Sequence, residues 1–260
     1  MSAPRAKKSF GQHFLTQPAI AQRIAESFEK TPARVLEVGP GKGMLTRHLM
    51  KLPCELLLVE ADRDMVDYLD YHFPELAGHI IRGNFLRIDL RQSFGEQEFG
   101  LIGNFPYNIS SQILFKMLEN RELIPEMVGM FQKEMAERIL APPGSKTYGV
   151  ISVLTQTYYE GKILFGVDRK NFSPPPKVKS AVIRLQRLET PLVPPEQYKG
   201  FRRVVKMAFN QRRKMLRNTL KPLVRDKDVL SGELFSQRPE QLSIEQFVEI
   251  ALQIEDHLNS

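Results

Sequence analysis

Residues 103–108 read GNFPYN, directly after the apolar run FGLI. An amide, two aromatics and a proline meet at the end of a strand, and each residue type can do a separate job. Asn104 Oδ1 and the main-chain carbonyl of Phe105 are hydrogen-bond acceptors, and Pro106 restricts the backbone so that the carbonyl stays aimed. Tyr107 offers a face on which a flat ring can stack, worth ~1–3 kcal/mol per base. The set suits the exocyclic amine of an adenine. That amine is a poor nucleophile because its lone pair is delocalised into the ring. A site that accepts both N6 hydrogens favours the pyramidal nitrogen, whose lone pair can then point at an electrophile. The base must leave its helix to reach such a site. Taken alone, the same six residues also describe an Asn-x-Pro turn with two packed aromatics, so the choice rests on their surroundings.

The first of those surroundings is EVGPGKG (37–43), in which Gly39, Gly41 and Gly43 alternate. Dinucleotide sites space their glycines GxGxxG, so that a helix N-terminus faces a pyrophosphate. The tighter G-P-G-K-G suits a ligand without phosphate lying close over the loop, such as S-adenosylmethionine. A purely structural strand-to-helix turn also takes glycine. The second is Glu60, which ends the next apolar run 19 residues after Gly41. An acid at that place can accept from both ribose hydroxyls. A helix-capping Glu is the alternative, and Asp62 would fill that role by itself. After the third strand, Asn84 stands where an adenine-edge contact is expected, and an amide can meet a ring edge with either of its ends.

These residues need a scaffold that brings strand ends together. Helical spacing of Ile20, Ile24 and Phe28 predicts a helix over 17–30, followed by a strand at 33–38, a helix at 44–51, a strand at 55–60, a helix at 62–73 and strands at 79–83 and 99–103. A helix over 109–119, a strand at 126–131 and helices over 133–140 and 147–160 come next. Two strands, 161–167 and 179–188, are expected to close the sheet as an antiparallel hairpin. Strands alternating with helices predict an α/β, mostly parallel sheet whose ligands sit at the carboxyl ends of the strands. Pro191, Pro194 and Pro195 mark a linker over 189–198. Residues 1–188 are therefore read as the catalytic domain, with an N-terminal arm at 1–16, and residues 199–260 as a small all-helical domain. In that domain helices are expected at 201–209, 212–223 and 243–258, with Ser243 as N-cap and Gln246 three residues on.

The 260 residues carry a net charge of +7, concentrated in one place. Lys199 to Arg225 holds ten of the 37 Lys and Arg and no acid, leaving 27 basic against 30 acidic residues elsewhere. A solvated helix face would interleave acids at i,i+4. Their absence points to a polyanion such as nucleic acid, with Arg202, Arg203, Arg212, Arg213, Lys214 and Arg217 as the contact candidates. A single cysteine, Cys54, excludes an intramolecular disulfide and cysteine-cluster metal sites; no metal is expected. No apolar run approaches the ~18 residues of a membrane span, and the N-terminus lacks the apolar stretch of a secretory signal. A cytoplasmic, monomeric protein is the expectation.

The stretches KKSFGQHFL, VLEVGPGKGMLT, LLLVEADRDM, IIRGNFL, IGNFPYNISSQIL, NFSPPPKVKSAVIRL and AFNQRRKMLRNTLK, in this order, closely resemble the ribosomal RNA small-subunit adenine N6,N6-dimethyltransferase family over nearly the whole chain. The resemblance implies a Rossmann-like methyltransferase domain with a helical C-terminal domain. It implies S-adenosylmethionine as methyl donor and, as substrate, two adjacent adenines in the 3′-terminal hairpin loop of 16S ribosomal RNA in the small ribosomal subunit. By position it implies that His13 and Leu15 border the cofactor, Gly39 and Gly41 line it, Glu60 takes the ribose and Asn84 the adenine, and Asn104 stands between cofactor and target. Phe172 becomes a second stacking face opposite Tyr107. The family usually has Asp at the position of Asn84, which exchanges one acceptor oxygen for a donor. Two other readings share these features: a large-subunit ribosomal RNA methyltransferase of the antibiotic-resistance type, and a ribosome-assembly factor with secondary methylation activity. The AFNQRRKMLRNTLK segment favours the small-subunit enzyme over the first.

Overall fold

The computed structural model describes residues 4–224 and 227–259. Residues 1–3 of the arm and Arg225 of the basic segment lie outside them. In chain order the elements are β1 (Phe14–Leu15), α1 (Pro18–Ala25), β2 (Arg34–Val38), α2 (Thr46–Leu49), β3 (Glu55–Glu60), α3 (Arg63–His72), β4 (Ile80–Arg82), α4 (Leu90–Phe94), β5 (Gly100–Asn104) and α5 (Ser110–Glu119). They continue with β6 (Glu126–Gln132), α6 (Lys133–Ile139), α7 (Val150–Gln156), β7 (Tyr159–Val167), β8 (Phe172–Ser173), β9 (Ser180–Arg187), α8 (Tyr198–Asn210), α9 (Leu216–Thr219) and α10 (Ile244–Asn259).

Seven strands form one sheet in the order β4-β3-β2-β5-β6-β9-β7. The pairs β4/β3, β3/β2, β2/β5 and β5/β6 are parallel, and β9 runs antiparallel to β6. The central strands read as unbroken apolar runs because a sheet covered on both faces has no solvent side to alternate with. Val35, Leu36, Leu58, Leu101, Ile102 and Val128 are all buried. Strand β7, at the edge, exposes most of its residues and carries Lys162 there, which discourages a further strand from adding. The fold is Rossmann-like α/β, as the alternating pattern predicts.

At the β5/β6 pair, Gly103 lies opposite Gly129. A Cβ on Gly129 would fall 2.4 Å from the Phe105 ring, and one on Gly103 2.8 Å from it. The two glycines thus open a slot that the buried Phe105 ring fills, edge-on to Phe131 at 5.2 Å between centroids. The main chain of residues 104–106 is anchored from below by this plug.

The described residues fall into two compact units, divided at 136/137, 160/161 and 187/188. The last division lies one residue from the sequence-based boundary, but residues 137–160 pack with the C-terminal part, which the sequence reading assigned to the first domain. Within that second unit, Gln156 Nε2 donates to the carbonyls of Ile139 and Ala141 at 3.0 and 2.9 Å. Tyr148 packs edge-on against Phe209, and Phe209 stacks on Phe247 of α10. Periodicity identifies an apolar helix face without naming its partner.

Several element assignments change, among them the helix expected over 44–51, which is only the four-residue α2. The expected helix over 147–160 ends at Gln156, and Tyr159 already begins β7. The helix expected over 17–30 ends at Ala25. The helix expected over 212–223 is instead a turn at 211–214, an extended Met215 and the four-residue α9, with a 3-10 turn around Pro222. Arg213, Lys214, Arg217 and Lys221 stand three or four residues apart without acids to pair them, which opposes a continuous helix, and Pro222 cannot supply an amide donor. The α10 start is as expected: Ser243 N donates to Gln246 Oε1 at 2.9 Å, and Gln246 N donates to Ser243 Oγ at 3.3 Å.

Glu37, on β2 in the middle of the sheet, is 1% exposed. Its Oε2 accepts from Thr46 Oγ1 at 2.7 Å. Burial pushes its carboxyl from the ordinary 4.5 up to about 8, the Thr46 bond opposing and the nearby Glu60 adding to the rise. Between these two values the folded chain keeps a proton that the unfolded chain has released, so stability falls as pH rises through that window. Thermal unfolding of the wild type and of Glu37→Gln, compared from about pH 5 to about pH 8, should show the variant gaining on the wild type by on the order of a few kcal/mol as pH rises. A difference independent of pH would mean that Glu37 is ionised throughout.

Candidate active site

Gly39, Gly41 and Gly43 adopt φ of 70°, 54° and 75°, the left-handed region where glycine carries no Cβ penalty. A Cβ on Gly41 would also meet the Phe14 ring at 3.0 Å. The loop therefore needs glycine for conformation and for close approach. Its amides are aimed at strand β3: Gly39 N donates to the Val59 carbonyl at 2.9 Å, and Gly41 N to Glu60 Oε2 at 3.1 Å. Asp62 N donates to Glu60 Oε1 at 2.9 Å. Burial raises the Glu60 carboxyl pKa, and the amides of Asp62, Gly41 and Ala61 hold it back. The carboxylate oxygens can only accept, which matches them to the donating hydroxyls of a ribose. Helix capping is left to Asp62, whose side chain accepts from Asp64 N.

Asn84 Oδ1 accepts from Leu86 N at 2.9 Å. The backbone amide fixes the oxygen end, so the amide nitrogen is the end left for a ligand. That end can donate to a ring nitrogen but cannot accept from an exocyclic amine.

Asn104 is the last residue of β5, and its Nδ2 donates to the His13 carbonyl at 2.9 Å. With the donor end tied, Oδ1 is the end left to accept from an amine. His13 also holds its ring against Tyr107, with centroids 5.4 Å apart and planes 29° from parallel, while its Nδ1 lies 2.8 Å from the Pro174 carbonyl. Tyr107 Oη pairs with Ser180 Oγ at 2.5 Å. The arm carrying His13 is held by the two-stranded β1/β8 ladder, in which Phe14 faces Ser173 and Leu15 faces Phe172.

A cavity of about 250 Å³ collects these residues, including His13, Gly41, Glu60, Asn84, Asn104 and Tyr107. A second, of about 270 Å³, shares Phe14, Gly39, Gly41 and Asn104 with it and adds Leu15 and Glu37. The glycine cradle, the Glu60 carboxylate and the Asn84 amide fit the adenosyl part of S-adenosylmethionine. Glu37, reached from the second cavity, is the lining acid that sequence reading passed over; an acid inside an apolar strand immediately before a glycine loop was the available signal. Among the described residues no group of three or more His, Cys, Asp and Glu is placed to hold a metal.

Two expectations shift. Phe172 is 4% exposed within the apolar core beside Leu15 and borders neither cavity. In a strand, neighbouring side chains face opposite ways, and it is Ser173 that turns to the second cavity. The second stacking face expected from Phe172 is therefore absent from this arrangement, and one face of Tyr107 is covered by His13. In the second unit, Arg212 donates to the carbonyls of Lys146 and Ser145 at 2.5 and 3.1 Å and stands 3.8 Å from Glu240. Its guanidinium is tied to these carbonyls although the side chain stays 38% exposed. Arg213, Lys214 and Arg217 are exposed, as is Arg203 of α8, while Arg202 is half-buried. Lys199, Arg203 and Lys206 share one exposed face of α8.

The ribosomal RNA adenine dimethylase family matches residues 3–256. The chain is 49% identical over 262 residues to ribosomal RNA small subunit methyltransferase A of Bacteroides thetaiotaomicron, covering 100% of this chain and 98% of that protein. Among solved structures it is similar to a dimethyladenosine transferase from Plasmodium falciparum (25% identity, TM-score 0.78, 94% of this chain and 98% of that one). It is also similar to the 23S rRNA methyltransferase ErmE (26% identity, TM-score 0.69, 93% and 99%). By the extent of these matches and by the fold and loop geometry above, the chain belongs to the ribosomal RNA adenine dimethylase family.

Proposed function

We propose that the protein dimethylates N6 of two adjacent adenines in the 3′-terminal hairpin loop of 16S ribosomal RNA, with S-adenosylmethionine as methyl donor. The observation that carries the reading is the tied donor end of Asn104, which leaves an acceptor on the wall of a cavity that Glu60 and Asn84 also line. The 49% identity to a small-subunit enzyme outweighs the 26% identity to the large-subunit one. A monomer acting in the cytoplasm on the small subunit completes the proposal.

S-adenosylmethionine supplies an electrophilic methyl group. Glu60 and the amide of Asn84 hold the adenosyl part, and the Gly39–Gly43 loop lets it lie against the main chain. Asn104 Oδ1 and the Phe105 carbonyl accept the two N6 hydrogens of the target adenine and favour its pyramidal form. The Phe105 plug keeps that carbonyl from drifting. Tyr107 supplies the stacking face, its ring held by His13 and its hydroxyl by Ser180. After one transfer the methylated amine releases a proton to solvent and has a single hydrogen left, so only one of the two acceptors stays engaged while the second methyl is received. The exposed cations of the second unit contact phosphates, which set affinity rather than base choice.

In Asn104→Ala, methyl transfer should fall on the order of a hundredfold or more while RNA affinity stays within about a few-fold. Filter binding and labelled-methyl incorporation on unmodified small subunits separate the two quantities, and equal losses in both would contradict the division of labour. Changing Arg213 and Lys214 together to Ala should weaken RNA binding and flatten the slope of log affinity against log salt by about 1–2. An unchanged slope would remove these side chains from the interface.

A further inference from the structure

Lys116, on the outer half of α5, is spent on main-chain carbonyls. Its Nζ donates to the carbonyl of Leu86 at 3.3 Å and to that of Ile88, and it lies 5.8 Å from the centre of the Phe85 ring. Asp89 and Glu119 are near enough to favour its charge, yet neither is its hydrogen-bond partner. Burial lowers its pKa, so a half-buried ammonium is held here at some cost. The segment it grips is the one that follows β4: Asn84 and Phe85 border the first cavity, with Glu60 and Asn104, and residues 85–87 form a single 3-10 turn. A turn this short leaves its carbonyls without helical partners. Lys116 supplies those partners from a different element.

The helix it comes from starts at the target loop. Ser110 Oγ donates to the Tyr107 carbonyl at 3.1 Å, and Ile109 N to the Pro106 carbonyl at 3.2 Å. One rigid helix therefore carries the target-base loop at its N-terminal end and, through Lys116 two turns later, the turn that presents Asn84 and Phe85.

We propose that Lys116 is a positioning residue for the cofactor: by pinning the 84–88 turn it sets the place of Asn84 and Phe85 at the adenine end of the S-adenosylmethionine site. This rests on the functional reading given above. Lys116 touches no reacting atom, and its loss loosens adenosyl binding while the transfer step is kept.

The test uses the full-length protein as wild type, Lys116→Met and Lys116→Arg. Met keeps the stem against Phe85 and removes the donors; Arg restores them. Calorimetry with S-adenosylhomocysteine should show a Kd raised about tenfold in Lys116→Met, the size expected for losing charged hydrogen bonds, and largely recovered in Lys116→Arg. Adenosine alone should weaken by the same factor, since the turn faces the adenine end. With saturating donor, kcat on unmodified small subunits should stay within about two-fold, and the KM for subunits should not move. Unchanged affinity for S-adenosylhomocysteine in Lys116→Met would overturn the inference. So would a fall in kcat with affinity retained, or equal losses everywhere with a lowered Tm, which would mark damage to the fold. Glu60→Gln and Asn84→Ala separate the two levels. If both bind S-adenosylhomocysteine like the wild type, the cofactor placement itself is wrong and the Lys116 role falls with it; if they weaken and Lys116→Met does not, only the Lys116 role fails.

Discussion

The hydrogen bond from Asn104 Nδ2 to the His13 carbonyl is the constraint on which the site depends. A terminal amide has a donor end and an acceptor end of nearly the same shape, and a site meant to accept an amine needs the acceptor outward. Tying the nitrogen to a main-chain carbonyl decides the matter. That carbonyl is where it is because the arm pairs through β1 with β8, so a two-residue ladder far away in sequence fixes the orientation of a side chain on β5. The same arm residue covers one face of Tyr107 with its ring. Beneath, Phe105 fills the slot between Gly103 and Gly129, so the main chain above the plug has little freedom.

Charge is managed differently at the other end of the cavity. Two acids, Glu37 and Glu60, end up buried within electrostatic reach of each other. Glu60 is compensated by backbone amides from the glycine loop and from Asp62, which favours its carboxylate. Glu37 has one hydroxyl donor and no such amides, so it keeps its proton near neutral pH. Burial raises both carboxyls, the amides hold Glu60 back, and a protonated Glu37 spares Glu60 a second buried charge beside it.

Much of this was legible in residue types and spacing. The glycine turn, Glu60 at a strand end and the GNFPYN cluster all lie on the carboxyl side of a parallel sheet, and the alternation of strands and helices predicts that sheet. What escaped the sequence is what depends on partners distant along the chain. Phe172 alternates with Ser173, and only the β8 pairing decides which of them faces the core. Arg212 looks like its neighbours Arg213 and Lys214 but is drawn to carbonyls of a loop some 65 residues earlier. Residues 137–160 carry no compositional mark of belonging with the C-terminal helices, because an apolar helix face does not name its partner. The Asn84 amide could be placed in sequence but not oriented, since its orientation is set by the amide of Leu86.

The most direct measurement is mass spectrometry of ribosomal RNA from cells lacking this protein, with and without a restored copy. The account predicts that two adjacent N6,N6-dimethyladenines disappear from the 3′-terminal hairpin of the small-subunit RNA and return with the wild-type protein but not with an Asn104→Ala copy. Intact dimethyladenines in that hairpin, or a loss confined to large-subunit RNA, would contradict it.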